Sequence, residues 1–99
     1  MSHIDTIQGA ERLMQALLAL HTREECHAFL EDICTIKELQ DISARLCVAV
    51  MLDEGKNYQE ISKATGASTA TISRVKKCLV YGSGGYRTTL DRAKKENRS

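Results

Sequence analysis

The 99 residues predict an all-α fold, and three observations carry that prediction. Proline is absent, so nowhere does ring geometry forbid a helix. Apolar residues recur at intervals of three and four and do not alternate, which is the period of a helix face and not of a strand. Thr22/Glu25, Thr35/Glu38 and Asn57/Glu60 each place a capping side chain three residues before a carboxylate, the pattern that opens a helix by occupying its orphan amides. Aromatic residues make up only 4% of the chain and Trp is absent, so Leu, Ile, Val, Ala and Met must build the core. A chain this short buries a modest share of its surface as one domain, and pairing with a second copy enlarges the core.

The elements follow in order. A first helix is predicted over 5–20, where Ile7, Ala10, Met14, Leu17 and Leu18 form one stripe that Leu13 and Leu20 widen. Thr22 and Glu25 open a second helix over 23–34. Thr35 and Glu38 open a third, running to Leu52, whose far end Leu46-Cys47-Val48-Ala49-Val50-Met51-Leu52 is apolar on nearly every face. Such a helix needs cover all round, and a partner chain supplies it economically. Asp53, Glu54 and Gly55 end it.

Asn57 with Glu60 starts a short helix over 58–65 that Gly66 terminates, and Ser68 caps the next one, Thr69 to about Leu79. Two helices joined by about three residues with a glycine among them form a helix-turn-helix. Ser62 is small at the close approach, and Ile61, Ala67, Ile72 and Val75 are the apolar residues that lock the pair. The exposed positions at the start of the second helix, Thr69, Ala70, Thr71 and Ser73, can touch base edges in a DNA major groove. Gln59, Lys63, Ser68, Arg74, Lys76 and Lys77 lie near the same face and suit phosphates, with Gln59 also a candidate base reader. Charge agrees: residues 1–57 hold five Lys/Arg against ten Asp/Glu, a net −5, whereas 58–99 hold nine against three, a net +6.

Other chemistries lack their residues. No apolar run reaches the ~18 residues of a membrane span and no secretory leader pattern opens the chain, so a cytoplasmic protein is expected. Cys26, Cys34, Cys47 and Cys78 are too far apart for a paired motif and read as buried reduced thiols. His21, Cys26 and His27 have no fitting third and fourth ligand, so no metal is expected. A nucleophile with adjacent base and acid is also missing, which argues against an enzyme.

Glu60-Ile61, Gly66-Ala67, Ala70-Thr71-Ile72-Ser73-Arg74 and Leu79 resemble the helix-turn-helix of the bacterial Trp repressor family. The match extends upstream through Thr35 and Arg45, and the whole chain, with Tyr81-Gly82-Ser83-Gly84-Gly85-Tyr86 after the reading helix, looks most like the YerC/YecD type of Trp-repressor-related protein. The resemblance implies one Trp-repressor-like domain over 1–99: a helical dimerisation core (1–56), the helix-turn-helix (57–79), then a Gly-rich link and C-terminal helix (80–99). It also implies an intertwined homodimer binding double-stranded DNA as a transcriptional regulator, with half-sites of a near-palindromic operator about 34 Å apart. A repressor is favoured over an activator, because occupying an operator alone blocks transcription.

In the Trp repressor, tryptophan lies between two arginines, with a threonine and reading-helix residues completing the site. Arg45, Arg74 and Thr35 stand at the matching positions, but Val75 and Cys78 replace a glycine and a serine. Val75 intrudes on the space of an indole, and a thiol is a poorer polar partner, so tryptophan is disfavoured. Thr35, Arg45, Arg74, Val75 and Cys78 then form a candidate site for a small anionic effector. A competing reading pairs Arg45 with Glu38 or Asp41 and leaves Arg74 to the DNA backbone.

The glycine-rich segment from Tyr81 to Tyr86 reads as a hinge, with an anion site as the alternative, followed by a short basic helix from about Thr89 to Glu96. Lys94, Lys95 and Arg98 either extend the DNA footprint or form a solvated tail. A rival function stays open as well, a helix-turn-helix module that docks on a transcription complex without an operator of its own.

Overall fold

The computed structural model describes residues 3–98, and their side chains as far as residue 96, so the side chain of Arg98, which the sequence offered as part of a basic tail, lies outside the described residues. A 3-10 turn at His3–Thr6 precedes six α-helices: α1 Ala10–Leu18, α2 Arg23–Ile33, α3 Ile36–Asp53, α4 Tyr58–Thr65, α5 Thr69–Tyr81 and α6 Gly85–Arg98. Among the described residues there is no strand, as the all-α reading requires. None of the helices is long and apolar enough to cross a membrane. Two compact units divide the chain, Met1–Leu39 and Gln40–Ser99, with the boundary inside α3.

In the first unit the single helix expected over 5–20 is broken. Gly9 sits at φ +83, a left-handed conformation that glycine adopts freely, and this separates the 3-10 turn from α1. The apolar period continues through the break, which is why the sequence read as one helix. Thr22 and Glu25 form the full reciprocal cap on α2: the hydroxyl accepts from the Glu25 amide at 3.1 Å, and the carboxylate accepts from the Thr22 amide at 3.3 Å. Thr35 and Glu38 repeat it on α3, at 3.1 and 2.8 Å. Glu38 is thereby engaged at the cap, which weakens the reading that pairs it with Arg45.

Little of the first unit's apolar surface is covered within one chain. Ala10 is buried, yet Ile7, Leu17, Leu18, Ile33 and Ile36 are exposed, Leu18 at 82%. Apolar area left in water forfeits about 25 cal/mol per Å².

The second unit has a core. Val48 and Ala49 of α3, Ile61 of α4, Ile72 and Val75 of α5 and Leu90 of α6 are buried together, with Met51, Leu52, Tyr58, Ala67, Leu79 and Tyr86 packed around them. Within one chain the apolar end of α3 is covered on one side only. Ile42, Leu46 and Val50, spaced four apart along one face, stay exposed, and so does Cys47. Leu46, Cys47, Val50 and Met51 line an open apolar groove of about 560 Å³ with Ala64 and Thr65 of α4.

The segment read as a hinge is shorter and firmer than expected. α5 continues to Tyr81 and α6 begins at Gly85, four residues before the predicted start, leaving only 82–84 between them. Tyr86 and Leu90, one helical turn apart, anchor α6 in the core. Asp53 at the end of α3 fixes it electrostatically: both Asp53 oxygens accept from the Arg87 guanidinium, at 2.9 and 3.0 Å, and Lys94 donates to the same carboxylate. Arg87 also pairs with Asp91. The hydrogen bonds from Arg87 and then Lys94 pull the Asp53 carboxyl from its ordinary 3.8 down to about 2, while the Asp53 and Asp91 carboxylates raise the Arg87 pKa. Lys94 is therefore tied to α3 and is not part of a frayed tail.

The cysteines also depart from expectation. Cys26, Cys47 and Cys78 are exposed, Cys34 is half-buried and all four are free. Cys47 lies in the open apolar groove between α3 and α4, and Cys78 is exposed on α5.

Candidate nucleic-acid interface

The geometry of the site begins with the turn between α4 and α5. Asn57 caps α4 by accepting from the Glu60 amide at 2.9 Å. Gly66 then ends the helix at φ +75, and its own amide donates to the Ser62 carbonyl at 2.8 Å. A left-handed residue here redirects the chain while Ile61 and Ile72 both stay in the buried core. The Thr65 hydroxyl ties off the turn, donating to the Ile61 carbonyl and accepting from the Ala67 amide.

Ser68 opens α5 by accepting from the Thr71 amide at 3.1 Å, and its hydroxyl donates to the Thr71 hydroxyl. Both hydroxyls are thus committed to the helix end. Thr71 is half-buried, a correction to its expected exposure, because it turns toward the side of α5 that faces α3. Ser68 remains exposed, but its first duty is the cap.

Burial of Ile72, Val75 and Leu79 at spacings of three and four fixes which side of α5 faces outward. At 100° per residue, Ala70 and Lys77 lie opposite the core, flanked by Ser73 and Arg74. Thr69 and Lys76 border α4. Thr69, Ala70, Ser73, Arg74, Lys76 and Lys77 are all exposed, as are Gln59 and Lys63 on α4. Tyr58, Gln59, Ser62, Lys63 and Thr69 line a shallow depression of about 370 Å³ at the junction of the two helices. The sequence reading passed over Tyr58, which lies 5.9 Å from the Lys76 ammonium and accepts from the Ser73 hydroxyl. An aromatic residue directly after a cap, on the reading-helix side, was the available signal.

A second hollow, about 490 Å³, opens on the other side of α5. Arg45 of α3, Ser68, Thr71, Arg74 and Val75 and the turn at Thr65, Gly66 and Ala67 line it, together with Gln40, Asp41 and Ala44. The two arginines of the candidate effector set therefore share one cleft, with Val75 in its wall. Cys78, one turn beyond Arg74, is exposed and does not line the cleft, and Thr35 caps α3 in the first unit. No group of three or more His, Cys, Asp or Glu among the described residues could hold a metal ion.

A sequence profile described as Trp repressor protein matches residues 8–94. The chain belongs to the Trp repressor family. It is 52% identical over 93 residues to the uncharacterized protein YerC of Bacillus subtilis strain 168, covering 92% of this chain and 89% of YerC. Among solved structures, a TrpR-like protein from Eubacterium eligens superposes with a TM-score of 0.83 at 46% identity, covering 89% of this chain and 91% of the other. A candidate Trp repressor from Staphylococcus aureus superposes at 0.87 and 45% identity, covering 95% and 96%. Together they mark the chain as a YerC-type relative of the Trp repressor with the TrpR-like fold.

Proposed function

We propose that the protein is a sequence-specific transcriptional regulator, a homodimer that reads a palindromic operator with α5 in the major groove and blocks transcription by occupying it. The observation that carries this reading is the outward face of α5. Its core-facing side is locked by Ile72, Val75 and Leu79, while Ala70, Ser73, Arg74 and Lys77 on the remaining faces are exposed. Thr69, Ala70 and Ser73 carry small hydroxyl and methyl groups that touch bases without a bidentate fork, so DNA shape and bridging water share the discrimination. Lys63, Arg74, Lys76 and Lys77 supply phosphate contacts, and Gln59 reaches a base or a phosphate from α4.

The apolar stripe Ile42, Leu46 and Val50 and the bare apolar residues of the first unit support the homodimer. Single surface leucines are ordinary, but an uncovered row on a central helix marks an interface. The cleft bearing Arg45 and Arg74 suits a compact carboxylate or phosphate effector, with Val75 in its wall working against an indole.

Selection of bound duplexes from a random pool, followed by binding at increasing salt, tests the proposal. Four basic side chains from each of two protomers predict a log–log salt slope of about −7. Exchanging Thr69 or Ser73 should change the preferred sequence, and charge reversal at Arg74 or Lys77 should weaken all sequences alike. Duplex binding that is absent or indifferent to salt overturns the proposal and points to a docking module.

A further inference from the structure

We infer that Tyr58 is a positioning residue of the DNA-reading face, one that holds Lys76 and Ser73 where they meet a duplex; the inference rests on the DNA-binding reading above. Tyr58 is the first residue of α4, half-buried and packed against the core cluster, so the core fixes its ring before any ligand arrives. The Lys76 ammonium stands over that ring, 5.9 Å from its centroid. The Ser73 hydroxyl donates to the Tyr58 hydroxyl across a long 3.4 Å. Thr69, Ser73 and Lys76 follow one another at spacings of four and three, a single stripe of α5, and Thr69 shares the junction depression with Tyr58. One ring thus sits beside the whole stripe.

Two consequences follow from the chemistry. A free lysine loses rotamer entropy when it settles on a phosphate, and a lysine already resting on a fixed ring loses less. Held by Tyr58, the Ser73 hydroxyl presents its remaining hydrogen-bonding capacity to the groove in one orientation, which discriminates among base edges. Tyr58 therefore contributes to affinity through Lys76 and to base preference through Ser73.

Full-length wild type, Tyr58→Phe, Tyr58→Leu, Lys76→Ala and the Tyr58→Leu/Lys76→Ala double variant, titrated by fluorescence anisotropy onto a selected duplex and a random-sequence duplex, provide the test. Thermal unfolding of each variant monitors the fold. Tyr58→Leu should weaken binding to both duplexes by about threefold per protomer, and so about tenfold for the homodimer, the scale of ordering one long side chain at an interface. In the Lys76→Ala background the same change should cost nothing further on the random-sequence duplex, where the Ser73 preference plays no part. Tyr58→Phe keeps the ring, so it should hold random-duplex affinity within about twofold while relaxing discrimination at the base facing Ser73, and it serves if the leucine variant fails to fold. Equal costs for Tyr58→Leu in both backgrounds, or unchanged base preference in Tyr58→Phe, overturn this inference while leaving DNA binding intact. Wild type that fails to bind duplex in a salt-dependent way overturns the DNA-binding reading itself, and this inference with it.

Discussion

Asp53→Asn removes the carboxylate that ties α6 to α3, and its cost can be worked from the structure. The carboxyl pKa falls from 3.8 to about 2, worth about 2 kcal/mol at 1.36 kcal/mol per unit. Asp53 is well covered at 13%, but Arg87 and Lys94 are about half exposed, at 44% and 52%, so solvent screening brings the expectation down to about 1 kcal/mol. A carboxyl with a depressed folded-state pKa stabilises above its unfolded value and loses that stabilisation as pH falls through the folded one. The difference between wild type and variant should therefore be full at neutral pH, begin to shrink near pH 4 and close below about pH 2. Urea unfolding followed by helical circular dichroism, at one fixed protein concentration across this range, reads it directly. A difference that stayed constant down to acid would assign the effect to packing and not to charge. No difference at neutral pH would refute the clamp.

Four further outcomes follow from packing and backbone conformation. Ile72→Ala, at a fully buried site between α3 and α4, should cost about 2–5 kcal/mol in the same unfolding assay. Gly66→Ala should destabilise by about 1–2 kcal/mol although an added Cβ meets nothing within 4 Å, because its φ of +75 is strained for any L side chain; Gly85→Ala, in the first turn of α6 and equally open, should be neutral or stabilising. Leu46→Asp, on the exposed stripe of α3, should shift the protein from dimer to monomer by light scattering, and a dimer that persists would move the interface elsewhere.

The local chemistry of helix ends was the most legible part of the sequence. Thr22/Glu25, Thr35/Glu38, Asn57 and Ser68 all cap the helices they were expected to open, and α4 runs over the predicted residues because a cap and a left-handed glycine bracket it. The locking residues Ile61, Ile72 and Val75 were legible too, since a three-and-four period states which side faces inward. Gly9 was misread because an apolar stripe persists across a backbone break. The start of α6 was missed because Gly84-Gly85 reads as loop, whereas Tyr86 and Leu90 gain their helix from a core whose other buried members lie 11 to 42 residues earlier. The Asp53–Arg87 contact spans 34 positions and leaves no local trace. Cys47 and Cys78 are exposed within one chain, whereas the burial expectation rested on residue type and the apolar pattern around them.

At the site, Gln59, Lys63, Thr69, Ala70, Ser73, Arg74, Lys76 and Lys77 stand outward as expected. Their residue types and helical phase sufficed for that. Tyr58 escaped notice because its part depends on how α4 crosses α5, which no single helix encodes. The cleft joining Arg45 to Arg74 likewise brings α3 against α5 across 29 positions, and the family resemblance, more than any spacing, pointed to it.

Methylation protection of guanine N7 on a selected operator bears most directly on α5 as the reading helix, since that atom lies in the major groove. Two protected patches about one helical turn apart, both lost on charge reversal at Arg74 and Lys77, are the predicted result. Tight binding with every guanine N7 of the operator still open to methylation would contradict it.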